Sequence, residues 1–442
     1  MVAAEKLGAP VTCISTRGEA FLSDSQGRDN VTTAKAAFDK DHRLQAVRFD
    51  IVSNLGAYNS AYAQMIQSVL AKFVQPGVYD VQKLFMNVRG GYTNTTPVDA
   101  YRGAGRPEAT FQLERVVDKA AREMGIDPVE LRRRNFIQPD QYPYQTPVAV
   151  AYDTGNYDAT MDRVLEMCDR AGFEARRAES KAKGLMRGMG IASYIEACGI
   201  APSKLVGQLG ARAGLYESAT VRVNPTGSIS VYTGSHSHGQ GHETALPQVV
   251  ATMPGIPEEI IDIVHGDTAR IPMGMGTYGS RSLAVGGSAM VKATEKIIAK
   301  ARKIAAHILE DAEGDIEFAD GEFSVAGTDK KLTFGEVALA AYVPHNYPLE
   351  ELEPGLEETA FYDPANFTYP AGAYACEVEV DPETGKTATL GFWAADDFGN
   401  VVNPMIGEGQ VHGRVGHGIG QALPEARRAD EPGPPAAAPL PS

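Results

Sequence analysis

The chain has 442 residues, 43% of them hydrophobic and 22% charged, and a formal net charge of −15. That composition fills ordinary cores in a soluble chain of two or three domains, while the acidic balance disfavours non-specific nucleic-acid binding because phosphate is repelled. No apolar run approaches the roughly 20 residues of a membrane span, and the opening "MVAAEKLGAPVTC" lacks the basic-then-apolar order of a secretory signal, so a cytoplasmic location is expected.

Taken in chain order, the first 90 residues alternate short apolar runs with turns, as in "LQAVRFDIVSNLGAY", and read as strand-rich. In "RPEATFQLERVVDKAAREMG" a helix is predicted, with proline in its first turn, Leu113, Val116, Val117, Ala120 and Met124 on one face and Gly125 as its C-terminal cap. "DPVELRRRN" reads as a second short helix, with Arg132 to Arg134 a solvated helix end. The polar, turn-rich stretch from Pro139 to Tyr157 places a domain boundary near residue 150. Beyond it, "ATVRVNPTGSISVYTGS" and "ACEVEVDPETGKTATLGFWAADD" are two strand pairs with similar turns, which suggests a domain of two related halves. Between them Ile297, Ala301, Ile304, Ala305 and Ile308 form the apolar face of a long helix starting near Met290. The fold class is α+β, two mixed α/β domains. After residue 425 the chain turns to "RRADEPGPPAAAPLPS", and residues 426–442 are expected to be a disordered tail. Cys13, Cys168, Cys198 and Cys376 lie far apart without a CxxC pair, which argues against a disulfide framework and against a zinc or iron-sulfur knuckle in this chain.

Three segments carry chemistry. "GSHSHGQGHET", residues 234 to 244, reads in two ways. His236, His238 and His242 are a candidate zinc set, as in a hydrolase. Alternatively Gly239 and Gly241 flank Gln240 so that the backbone and the Gln240 side chain approach a bulky ligand closely. "AYRGAGRPEA", residues 100 to 109, sets Arg102 and Arg106 around Gly103 and Gly105 ahead of a helix N-terminus, where amide hydrogens and the dipole favour an anion. "GTYGSRSLAVGGSA", residues 276 to 289, puts Ser280, Arg281 and Ser282 ahead of the long helix. Together they suggest an extended anionic cofactor held at several points.

In order, "TNTTPVDAYRGAGRPEATFQLERVVDKAAREMGIDPVELRRRNFI", "GQGHET", "GDT", "GTYGSRS" and "DFGNVVNPMIGEGQVHG" resemble the large subunit of the xanthine dehydrogenase and aldehyde oxidase family of molybdenum hydroxylases. "AYRGAGR" is similar to the form carried by chains labelled carbon monoxide dehydrogenase large chain, form II. The resemblance runs from about residue 12 to residue 425. It implies an oxidoreductase that hydroxylates an aldehyde or N-heterocycle with water as oxygen source. It implies molybdopterin cytosine dinucleotide with molybdenum as cofactor, a first molybdopterin-binding domain over 1–150 and a second over 151–425. Gly239, Gln240 and Gly241 would bind the pterin and pyrophosphate, Ser280, Arg281 and Ser282 would clamp the pterin, and Arg102, Gly103 and Ala104 would sit beside the molybdenum. The implied partners are a small iron-sulfur subunit and a medium FAD subunit, in a dimer of heterotrimers.

The chain departs from the family pattern at three points. Carbon monoxide enzymes of the family carry copper on a cysteine in "AYRCSFR", where this chain has Gly103. An N-terminal "GGGFG" loop and the C-terminal "GVGE" motif with the catalytic glutamate are both missing, and Glu408 in "GEGQ" belongs to another segment. The expectation is a chain truncated at both ends, with an out-of-frame tail, whose catalytic residue is unknown. The alternative within that reading is a non-catalytic fragment that only binds partner subunits.

Overall fold

A computed structural model describes residues 2–148, 150–200, 202–423, 427–428 and 436–437. Two strand pairs with turns between them, one near residue 40 and one near residue 384, anchor the first of two compact units, Met1–Glu196 with Tyr369–Asp397. Here Asn30–Phe38 pairs antiparallel with Leu44–Asn54, which pairs parallel with Leu84–Gly91. A second three-stranded sheet is antiparallel throughout, with Ala371–Val380 between Met186–Ile195 and Thr387–Asp397. Period-two alternation is plain in Asn30–Phe38, where half-buried and exposed residues alternate from end to end, as a strand with one covered face requires.

The helix predicted from "RPEATFQLERVVDKAAREMG" spans Arg106–Met124 and ends on Gly125 at φ 68°. Its buried face holds Leu113 and Val117 as expected, but Ala121, Gln112 and Glu114 are buried where Val116, Ala120 and Met124 are only half-buried. Glu114 accounts for the rotation. Its carboxylate accepts from the Tyr79 hydroxyl, from Arg132 Nε at 2.9 Å and from the Ser193 amide at 3.0 Å, while Arg132 Nη2 donates to Asp118 at 2.8 Å. The solvated helix end read for Arg132 to Arg134 is therefore corrected at Arg132, while Arg134 is exposed as read. Arg132 is fully buried, and Arg133 and Arg134 pair with Asp158, Asp162 and Glu130. A buried guanidinium persists only when acceptors surround it, and residues distant in sequence supply these.

The second unit is Ala197–Thr368 with Phe398–Ser442. Its sheet runs in the order Glu357–Tyr362, Glu217–Val223, Ile229–Thr233, Ile261–Val264, with only the last pair parallel. Against it packs the long helix, Ser288–Leu309, which buries Met290, Ala293, Ile297, Ala301, Ile304 and Ala305. A single π-helical stretch, Ser282–Gly287, leads into it. The two similar strand pairs read as halves of one domain belong instead to different units, since 217–233 lies in the second and 371–397 in the first. Pairing of Ala371–Val380 with Met186–Ile195 decides this, and such a long-range contact leaves no local signature. The tail expected at 426–442 lies outside the described residues, apart from 427–428 and 436–437, which pair as a two-residue ladder. No helix among the described residues is long and apolar enough to cross a membrane.

Candidate functional site

In the first unit, the loop 100–105 turns on three consecutive left-handed residues, Gly103 at φ 102°, Ala104 at 48° and Gly105 at 92°. A Cβ at Gly105 would stand 2.5 Å from the Ile66 carbonyl oxygen, so glycine allows the chain to cross another backbone here. Arg28 donates to the Arg102 carbonyl and lies 4.5 Å over the Tyr101 ring, which fixes the start of the loop. The expected anion site is partly taken. Arg106 is buried and paired with Glu196 at 3.1 Å, and Glu108, within the first helical turn, bonds the amides of Gly105 and its own residue. Burial pushes the Glu108 carboxyl above its ordinary range, against the pull of those amides and of Arg28. Arg102 remains exposed, with Gly103 and Ala104 half-buried beside it.

In the second unit two glycine loops meet. Gly234 ends the strand Ile229–Thr233, and a Cβ there would stand 2.1 Å from the Gly274 Cα and 2.4 Å from Glu217 Oε1. Only two glycines can lie back to back at that distance. From this contact one loop runs through Gly239, Gln240 and Gly241 into the helix His242–Thr252, and the other through Gly276 and Gly279 to Ser282. Gly239 at φ 89° and Gly276 at 82° have nothing within 4 Å of a Cβ position, so each offers bare backbone to a ligand. Gly241 at φ 81° is closed on one side by Ile406. The Gln240 carboxamide folds back on His238, accepting from its amide, with Nε2 3.4 Å from Nδ1.

Of the three clamp residues read at 280–282, the structure separates one. Ser280, exposed at φ 55°, and Ser282, whose hydroxyl lies 2.9 Å from that of Thr277, border the loop. The Arg281 side chain is instead fully buried. It donates to Glu217 at 2.7 Å and to the carbonyls of Ile200, Gly276, Leu215 and Tyr216. Its side-chain donors are committed to the protein, where they hold the loop from behind. Glu217, missed in the sequence, is the other half of that hold. The only sequence signal was an acid opening the strand "ESATVRV", and its meaning depends on a residue 64 positions away.

The zinc reading of the histidines does not find its geometry. His242 is buried at the first position of its helix, with Nδ1 unpartnered, while His236 and His238 stay exposed, rings 4.9 Å apart. His265 packs on His236 and lies 3.0 Å from Glu243. Among the described residues no group of three or more His, Cys, Asp or Glu is placed to hold a metal ion. Glu408 lies on the helix Pro404–Ala422, which has no buried residue, 3.9 Å from His412.

The molybdopterin cofactor-binding domain family matches this chain twice, over residues 1–136 and 163–440. The chain is 40% identical to the carbon monoxide dehydrogenase large chain of Hydrogenophaga pseudoflava, over 96% of this chain and 53% of that one. Among solved structures, the quinoline 2-oxidoreductase of Pseudomonas putida 86 matches with TM-score 0.91 and 35% identity, over 97% of this chain and 55% of that one. The carbon monoxide dehydrogenase of Oligotropha carboxidovorans matches with TM-score 0.88 and 39% identity, over 99% and 55%. The chain spans about half the length of the curated relatives it matches.

Proposed function

The chain belongs to the molybdopterin cofactor-binding domain family, and from that premise we propose that it is the cofactor-binding part of the large subunit of a molybdenum hydroxylase. The observation that carries the proposal is the back-to-back contact of Gly234 with Gly274, which brings together two loops with bare backbone at Gly239 and Gly276. A large, polar, anionic ligand fits such a cradle, because amides and hydroxyls there can donate without a side chain in the way. The proposed ligand is molybdopterin cytosine dinucleotide. When bound, it supplies the redox chemistry of a hydroxylation that takes its oxygen from water.

The chain's own residues bind and orient it. The amides of Gly239 and Gly241 and the Gln240 carboxamide, turned out from His238, hold the pterin and pyrophosphate. The hydroxyls of Ser280 and Ser282 bond the pterin edge, with Arg281 anchoring their loop from behind. Arg102, Gly103 and Ala104 form the wall beside the metal. The stretches proposed to carry these roles, 1–150 and 151–425, are sequence stretches rather than folding units. An aldehyde or N-heterocycle is the proposed substrate class. In its favour stand Gly103 in place of a copper-bearing cysteine and the similarity to an enzyme named for quinoline. The proposed partners are a small iron-sulfur and a medium FAD subunit, in a dimer of heterotrimers, and the proposed location is cytoplasmic.

Elemental analysis of the purified chain, alone and with its partner subunits, tests the reading. Stoichiometric molybdenum in the assembled complex, reduced in Gln240→Ala and Arg102→Ala, is expected. A complex that assembles without molybdenum would instead favour a role in binding partner subunits only, and stoichiometric zinc would bring back the histidine site.

A further inference from the structure

The buried pair Glu217 and Arg281 sits where every segment of the second-unit cradle begins, yet neither side chain reaches its open side. Both side chains are fully buried, 2.7 Å apart. The Glu217 carboxylate accepts from the Ser218 amide at 3.3 Å and from the Met275 amide at 3.4 Å, and Oε1 lies against Gly234. Arg281 bonds Ile200, Leu215, Tyr216 and Gly276. Neighbouring bonds close the same frame: Ser218 donates to the Met273 carbonyl at 2.5 Å, Gly199 to Ser280 at 3.0 Å and Ile200 to Gly279 at 3.2 Å. Thus one ion pair joins the root of the 234–241 loop, both ends of the 273–282 loop and the 199–200 segment.

A buried ion pair is poor stabiliser for its burial cost, since apolar replacement is often neutral, so its use has to be sought in the geometry it enforces. Here the carboxylate accepts from the Met275 amide and from Arg281 in one loop, while its Oε1 packs against Gly234 at the root of the other. Gly234 and Gly274 have no side chains to fix their register, and Glu217, packed on Gly234 and bonded to the Met275 amide, stands where it can set it.

We propose that Glu217 is a positioning residue for the cofactor cradle, holding the 273–282 loop through Arg281 and the Met275 amide in register with the 234–241 loop, against whose Gly234 it packs. The proposal rests on the molybdopterin-binding reading for the identity of the ligand, but not for the placement of the loops. Glu217→Gln keeps the side-chain shape and removes the charge. Amide hydrogen exchange on the purified full chain, without cofactor, should speed up about tenfold over 234–241 and 273–282 while the helix Ser288–Leu309 keeps its protection, as local rather than global opening requires. In the assembled complex, molybdenum and cytidine content after gel filtration should fall several-fold together. Wild-type protection of both loops would overturn the proposal. So would loosened loops with full cofactor content, or loosening that extends through 288–309, which would make the pair merely structural. If Glu217→Gln does not fold, Glu217→Asp keeps the charge and withdraws it by one methylene, and the same readouts apply. A wild-type complex lacking molybdenum and cytidine would sink the ligand assignment, whereas the exchange result would still decide whether Glu217 sets the loops.

Discussion

Gly103 shows how much one absent side chain decides. At φ 102° its Cβ position lies 2.5 Å from Pro107 Cγ and 2.6 Å from Cδ, and proline in a first helical turn cannot swing aside. Gly103→Cys is therefore expected to cost about 1–3 kcal/mol in urea denaturation, from the left-handed backbone and the overlap together. It should gain no stoichiometric copper; a stable variant that binds copper would show that the loop can be recast as a thiolate site. His242 carries a second consequence. Burial, with its neighbours His265 and His238, lowers its pKa below the usual imidazole value, against the attraction of Glu243 and the bond to the Ser235 backbone. The neutral form is thus favoured on folding. Its contribution is present above the unfolded value of about 6.5 and is lost as the pH falls through the lower folded value. Between about pH 7.5 and about pH 5 the wild-type urea midpoint should drop further than that of His242→Gln. Equal drops would place the acid sensitivity elsewhere. In the sequence the turn around Gln240 was legible because glycine at φ > 0, as at Gly239 and Gly241, leaves a local mark. The roles of Arg281 and His242 were not, because burial is settled by what packs against a residue.

The helix Arg106–Met124 was readable in extent from its proline, its periodicity and Gly125, all local signals. Its orientation was not. The apolar spacing chose a face centred on Val116, Val117 and Ala120, and the tertiary network around Glu114 turned it so that an acid and an amide are buried too. Replacing Glu114 by Gln should leave the buried Arg132 guanidinium with Asp118 as its remaining carboxylate partner, lose the more deeply buried half of the pairing, and cost about 3–5 kcal/mol, measured by chemical denaturation. A loss under about 1 kcal/mol would mean that Asp118 and the Pro128 carbonyl satisfy Arg132 unaided. The strand pairs at 217–233 and 371–397 teach the same lesson, since turns such as "NPTG" and "DPETG" specify a pair and not which sheet receives it.

At the scale of the molecule, neither compact unit is a continuous stretch, and the strand Ala371–Val380 completes a sheet begun at Met186–Ile195. Expressing 1–368 without the returning segment should leave the first unit without its central strand. We expect loss of cooperative unfolding for that unit, followed by circular dichroism and by exchange over 186–195; a protected 186–195 strand would show the returning segment to be dispensable. The sequence by itself determined the mixed helix-and-strand class, three of the helices, the glycine-rich loops, and through its ordered motifs the family. Those properties follow from short-range backbone preferences and from residue types in fixed spacing. The tertiary structure alone decided which face each helix buries, which strands share a sheet, and that Arg281 and Glu217 stand behind the cradle instead of in it. Burial and charge pairing join residues tens to hundreds of positions apart, and no local pattern encodes their distance.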